Sequence, residues 1–271
     1  MSAGPRPGAL ARFERLRADR IEDGAVLRVV LDHPKGNVLS SAMMREIAAA
    51  LAAHRDDPHL KLVFLRGAGG HFSFGASIEE HRRDTVGPML REFHAFVRDL
   101  AACPVPVAAL VEGRCLGGAF EMALVCHFVL AAADARFGCP EIRLGVFPPV
   151  LAAVGGTRLP AAIAERLVLT GEELDGRTLA SHGLVTRVFE PGADPETALI
   201  AWYHETLAPL SAYALRVAVR AARDGSGLIA ALGAPLDAAE RRYLDRLPGS
   251  HDGNEGIEAF LERRPARWRD A

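Results

Sequence analysis

Two glutamates stand in glycine-bearing settings: Glu121 closes Cys115-Leu116-Gly117-Gly118-Ala119-Phe120-Glu121, and Glu141 closes Gly138-Cys139-Pro140-Glu141. A glycine pair opening a helix presents unpaired backbone N–H donors beside a side chain able to carry a proton. Holding an oxyanion while moving hydrogens is what acyl chemistry requires. Each residue also has a plainer reading: Gly117-Gly118 permits a tight turn, Glu121 offsets a helix dipole, and Glu141 is a solvated loop carboxylate.

The elements that must position these groups alternate. Arg15 to Ile21 and Val26 to Leu31 flank Glu22-Asp23-Gly24 and read as a hairpin. After the loop Asp32-His33-Pro34-Lys35-Gly36-Asn37, Ser40 or Ser41 caps a helix to about His54, with Met44, Ile47, Ala48 and Leu51 at helical spacing. Leu60 to Leu65 reads as a buried strand, Met89 to Ala102 as a helix, and Val105 to Val111 as the strand feeding Gly117-Gly118 and a helix over Ala119 to Val125, with Phe128 to Ala132 a strand again. Strand, loop and helix recur, which predicts a wound α/β architecture whose loops line one cleft. From about Glu196 the pattern is helical, broken at Pro209, Gly225 to Gly227, Gly233 to Pro235 and Pro248-Gly249, with a last segment over Gly256 to Arg264.

The chain has 271 residues, 49% hydrophobic and 24% charged, with a formal net charge of −2, so it can bury a sizeable core and carries no field selecting for nucleic acid. Cys103, Cys115, Cys126 and Cys139 are too widely spaced for a CxxC metal or redox motif and read as buried free thiols. Met1 to Gly8 is polar and Pro/Gly-rich without a leader pattern, and no apolar run approaches membrane-spanning length. A cytoplasmic enzyme with no membrane partner is expected. The glycine motifs lack dinucleotide-binding spacing and the histidines lack a ligand pattern, so neither a nicotinamide nor a metal site is expected.

His71-Phe72-Ser73-Phe74-Gly75-Ala76-Ser77-Ile78, Gly113 to Glu121, Phe137 to Gly145, Leu169-Thr170-Gly171 and Glu255 to Arg264 occur in an order that resembles the crotonase, or enoyl-CoA hydratase/isomerase, family over nearly the whole chain. The resemblance implies a spiral of ββα repeats with a C-terminal helical region, residues 1–195 forming the acyl-CoA-binding core and 196–271 serving oligomerisation and CoA contacts, assembled as a homotrimer or homohexamer. It implies that the N–H groups of Ala76 and Gly118 form an oxyanion hole for a thioester oxygen, such a donor being typically worth ~3–4 kcal/mol. Glu121 and Glu141 match the two glutamates with which family hydratases hold and activate water and exchange a proton. Coenzyme A is then part of the substrate, with no separate cofactor. Lys35, Asn37 and Val38 match a loop whose backbone meets CoA; Phe74, Gly75, Ser77, Ile78 and Gly117 match acyl-pocket positions, and Phe260 and Arg263 match C-terminal positions near the nucleotide.

Three departures narrow the branch. His71 to His81 replaces an Ala-Gly-Ala-Asp pattern, Arg114-Cys115-Leu116 stands for the commoner Tyr-Ala-Leu, and Leu144 to Val150 stands where a Pro-Gly-Ala-Gly-Gly turn is usual. Together they look like members that hydrate a cyclic dienoyl thioester, cyclohexa-1,5-diene-1-carbonyl-CoA, to 6-hydroxycyclohex-1-ene-1-carbonyl-CoA in the breakdown of aromatic acids. Phe147 and Pro148, followed by Pro149, would form a stiff wall for a planar ring, the plainer reading being a rigid loop before a helix. Gly155-Gly156-Thr157-Arg158 could restore the missing glycine turn. A straight-chain enoyl-CoA hydratase, an enoyl-CoA isomerase and a non-catalytic scaffold holding CoA esters or RNA remain alternatives.

Overall fold

The computed structural model describes residues 13–271; the stretch Met1 to Gly8 lies outside them. The first strands are β1 (Leu16–Ile21) and β2 (Val26–Leu31), paired antiparallel around a 3-10 turn at Glu22–Gly24. Helix α1 (Ser41–His54) starts at Ser40, whose hydroxyl accepts from the Met43 N–H. Strand β3 (Leu62–Gly67), helix α2 (Val86–Ala101), strand β4 (Val107–Val111), strand β5 (Arg114–Leu116), helix α3 (Gly118–Val125), strand β6 (Phe128–Ala132) and strand β7 (Arg136–Gly138) follow. Next come α4 (Pro149–Arg158), α5 (Ala161–Thr170), β8 (Glu173–Asp175), α6 (Gly176–Ser181) and β9 (Arg187–Phe189). Helices α7 (Pro195–Thr206), α8 (Ala212–Gly225), α9 (Leu228–Ala231), α10 (Ala234–Arg246) and α11 (His251–Leu261) complete the chain.

Two sheets result. One has the order β1-β2-β3-β4-β6-β9, parallel beyond the first hairpin; the other is β5-β7-β8. Every residue of β4 is buried, as a parallel strand covered on both faces must be, and its Val-Ala-Ala-Leu-Val run shows no alternation for that reason. The short β5, β7 and β8 carry too few residues to mark themselves by pattern. Strand β3 begins two residues later than the sequence predicts, because the Leu60 N–H is taken by Asp57 O in the preceding turn and the pairing with β2 starts at Leu62, opposite Val26.

The small sheet decides where the carboxylates go. Strand β5 runs into α3 and pairs in parallel with β7, which runs into the 3-10 turn Pro140–Leu144. Phe120 on α3 and Phe137 on β7 are both buried and meet edge to face, ring centroids 5.6 Å apart. The neighbours of these two rings in sequence are the segments bearing Glu121 and Glu141. All eight residues of α3 are buried, which explains its lack of an amphipathic stripe.

One expectation fails. Gly155-Gly156-Thr157-Arg158 is no glycine turn but the last stretch of α4. Gly155 lets two helices approach, since a Cβ there would lie 2.9 Å from that of Ala164 on α5. The helical breaks at Pro209, Gly225 to Gly227, Gly233 to Pro235 and Pro248-Gly249 fall at helix ends, whereas the last helix begins five residues before the expected Gly256, capped by Ser250. Among the described residues no helix is long and apolar enough to cross a membrane.

Candidate active site

Gly117 makes the bend from β5 into α3 at φ +52°, and its N–H is used by Gly138 O at 2.8 Å, tying the α3 start to the end of β7. An added Cβ would stand 2.6 Å from Glu141 Oε1. Glycine is therefore demanded twice, by backbone conformation and by the carboxylate above it. Gly118, the first residue of α3, has no acceptor for its N–H inside the helix. Beside it lies Ala76: a Cβ built on Gly118 would be 3.4 Å from the Ala76 Cβ and 3.3 Å from the Phe93 ring. Gly75, at φ +98°, brings this second segment in, with no room for a side chain against Leu116 O, 2.6 Å from where Cβ would be.

Ser73 and Asn37 hold the Ala76 segment. The buried Ser73 hydroxyl donates to Asn37 O at 2.7 Å and accepts from the Gly75 N–H at 3.1 Å. Asn37 is buried; its Oδ1 accepts from His33 N, and its Nδ2 hydrogens are shared among Ala68, His71 and Phe72 carbonyls. That side chain is a buried bracket whose donor hydrogens are all committed to carbonyls. Leu39 N donates to Gly75 O at 2.8 Å, joining the two loops.

Glu121 is 3% exposed. Its Oε1 accepts from the Leu151 N–H at 2.9 Å, and the Val150 N–H also acts on it. Both donors belong to the first turn of α4, whose positive end thus faces the carboxylate. Pro149 is the first residue of that helix, where a missing N–H costs nothing. The Phe-Pro-Pro segment is in this respect the rigid helix start of the plainer reading, and it is also what aims α4 at Glu121. Glu141 is half-buried, yet its Oε2 is sealed from solvent without a hydrogen-bond partner among the described residues.

Burial raises both acids, Glu121 to about 7 against the pull of the α4 donors, and Glu141 to about 8 with the Glu121 charge adding to burial. At neutral pH the pair therefore retains protons that ordinary carboxyls would have lost, the condition for acid and base roles in one place. Burial also keeps the thiols of Cys115 and Cys139 protonated, and all four cysteines are free and buried, in keeping with wall residues.

Around this centre, Ser77 donates through its hydroxyl to Glu79, and His81 Nδ1 donates to Ser77 O at 2.7 Å, its ring held neutral by burial. Ile78, Val38 and Phe147 are half-buried and Pro148 buried. Phe74 is 43% exposed, edge-on to His71. With Lys35, which is exposed, it lines a groove of about 600 Å³ shared with His33, Gly69 and His71. Phe260 and Arg263 are exposed at the end of α11, a helix packed on the Pro140–Leu144 and Glu79–His81 turns. Arg264 rather than Arg263 is paired, to Glu255. Arg114, one of the departures, pairs with Glu173 at 2.9 Å across the small sheet. Sequence reasoning missed the α4 donors and Tyr243 of α10, whose ring packs on Phe147; only Pro149, a helix-start residue, signalled the former. Among the described residues no three His, Cys, Asp or Glu side chains cluster as metal ligands.

A wound α/β core with two glutamates beside the place where the Gly75–Ala76 loop meets the Gly117–Gly118 helix start defines a class, and the chain belongs to the enoyl-CoA hydratase/isomerase family, whose model matches residues 22–271. It is accordingly an enzyme of the hydro-lyase type. Among curated relatives it is 43% identical over 246 residues to a cyclohexa-1,5-dienecarbonyl-CoA hydratase of Thauera aromatica, covering 91% of this chain and 93% of that one. It is 31% identical to the mitochondrial methylglutaconyl-CoA hydratase of Homo sapiens, covering 86% of this chain and 70% of the relative. Among solved structures, an enoyl-CoA hydratase/isomerase of Xanthobacter autotrophicus Py2 matches with a TM-score of 0.82 at 29% identity, over 93% of this chain and 94% of that one.

Proposed function

We propose that this enzyme adds water to cyclohexa-1,5-diene-1-carbonyl-CoA, giving 6-hydroxycyclohex-1-ene-1-carbonyl-CoA. The observation that carries the reaction type is the buried Glu121 and the solvent-sealed Oε2 of Glu141 together beside the Gly118–Ala76 approach. The thioester oxygen sits between the Ala76 and Gly118 N–H groups, which stabilise the enolate-like charge that water addition places on it, the α3 dipole reinforcing Gly118. The ionised glutamate of the pair takes a proton from water as its oxygen bonds to the ring; the protonated one delivers a proton to the far end of the diene. Removal of one charge by the other proton keeps the pair from ionising twice in a buried place.

The ring preference is supported by the Thauera aromatica relative and by the Phe147-Pro148-Pro149 segment, which replaces a flexible turn by a stiff one ahead of α4. The CoA moiety runs along the groove of Lys35 and Phe74, meeting the backbone of Asn37 and Val38, with Phe260 and Arg263 available to the nucleotide. Residues 196–271 serve assembly, as a homotrimer or homohexamer in the cytoplasm. The test is a side-by-side hydration assay of cyclohexa-1,5-diene-1-carbonyl-CoA and crotonyl-CoA with products identified by mass spectrometry and NMR. Preference for the diene with a 6-hydroxy product is expected; preference for crotonyl-CoA makes it a straight-chain hydratase, and no water addition to either refutes the hydration mechanism.

A further inference from the structure

Tyr243 is 2% exposed, and its hydroxyl has no hydrogen-bond partner among the described residues. Buried polar groups are almost always paired, so an orphan of this kind asks for an explanation. The other polar side chains that α10 turns toward α2 are satisfied: Glu240 accepts from His94 Nδ1 at 2.5 Å, and Asp237 pairs with Arg98 at 2.5 Å. Tyr243 stands apart from them. Its ring rests on Phe147, centroids 5.5 Å apart, and Phe147 follows Val146, whose N–H donates to Glu141 O at 3.2 Å. Helix α10 packs along α4, the helix whose first turn holds Glu121. Burial pushes the phenol up, with the Glu141 and Glu121 charges adding to it, so it stays a neutral donor.

We propose that Tyr243 is a positioning residue of the hydration site, its hydroxyl donating a hydrogen bond to the oxygen of the water that Glu121 and Glu141 handle. The tyrosine keeps its proton throughout; the proton leaving water goes to the ionised glutamate. The hydrogen bond fixes which lone pair faces the ring, and it strengthens as that oxygen gains negative character. This role deepens the hydratase reading above and rests on it.

The test is Tyr243→Phe, which keeps the ring on Phe147 and deletes only the hydroxyl. Because the deleted atom is buried and unpartnered, the variant is expected to melt at the same temperature as the parent or higher. Its kcat should fall by about 10- to 100-fold, as for loss of a hydrogen bond to a group gaining charge, with KM for the CoA ester little changed. With the hydroxyl on the water and not on a carboxyl, the limbs of the pH profile of kcat/KM should keep their positions while its height falls. An unchanged kcat and profile height in a folded Tyr243→Phe overturns the proposal while leaving the hydratase reading intact. A parent enzyme that hydrates neither the diene nor crotonyl-CoA defeats both. Should the Phe variant be unstable, Tyr243→Trp, retaining an aromatic ring and a different donor, must recover part of kcat over Tyr243→Leu; equal losses reduce Tyr243 to packing.

Discussion

Glu121→Gln should make the protein more stable at alkaline pH while impairing its reaction. The carboxyl is 3% exposed, and its pKa rises from 4.5 to about 7 chiefly through burial. Below pH 4.5 the acid is neutral in both folded and unfolded chains and contributes nothing. Between there and about 7 the folded state holds a proton that the unfolded state has released, so stability falls as pH rises. At ~1.4 kcal/mol per pH decade, the folded enzyme forfeits about 3 kcal/mol by pH 8. Glutamine keeps the amide oxygen that can accept from Leu151 and carries no charge to desolvate. Urea or thermal denaturation at pH 5 and pH 8.5 measures the difference: near zero at the lower pH, and about 3 kcal/mol in favour of the variant at the higher, roughly 6–12 °C in Tm for a chain of this size. Identical pH dependence in parent and variant would refute the burial argument, since it would mean that the carboxylate is solvated in the folded state.

Hydration by Glu121→Gln or Glu141→Gln should fall by about 10³-fold or more with CoA-ester binding retained, as measured by steady-state kinetics and calorimetry; near-normal turnover in both variants excludes the two-acid mechanism. The profile of kcat/KM against pH should be a narrow bell with apparent limbs near pH 7 and 8, the pair titrating as a unit; a flat profile from pH 5 to 9 contradicts it. Gly117→Ala should cost about 1–3 kcal/mol for a side chain at φ +52° and displace Glu141, whose Oε1 is 2.6 Å from the new methyl, with loss of both Tm and kcat. Phe147→Ala should lower turnover of the cyclic dienoyl ester more than that of crotonyl-CoA, and an equal loss on both removes the shape role. Asn37→Ala should destabilise by about 2–4 kcal/mol through stranded carbonyls at Ala68, His71 and Phe72, seen in the denaturation midpoint.

The sequence by itself determined the alternation of the longer strands and helices up to β6, the bend at Gly117, the wound α/β core and its C-terminal helices, because these depend on local hydrophobic period, capping and glycine, all written within a few residues. It also marked Glu121, Glu141, Ala76 and Gly118 as a set, through motifs in a family's order. What it could not carry was anything made by residues far apart in the chain. Strands β5, β7 and β8 have too few residues for a period and exist through pairing. The Gly155 stretch became helix because α5 lies against it, where a local reading saw a turn. Above all, tertiary structure decided the electrostatics: the α4 N–H groups on Glu121, the sealed oxygen of Glu141 and the hydroxyl of Tyr243 come from separate elements. Desolvation and charge act through space, so a carboxyl's acidity is set by neighbours that its own segment of sequence does not name.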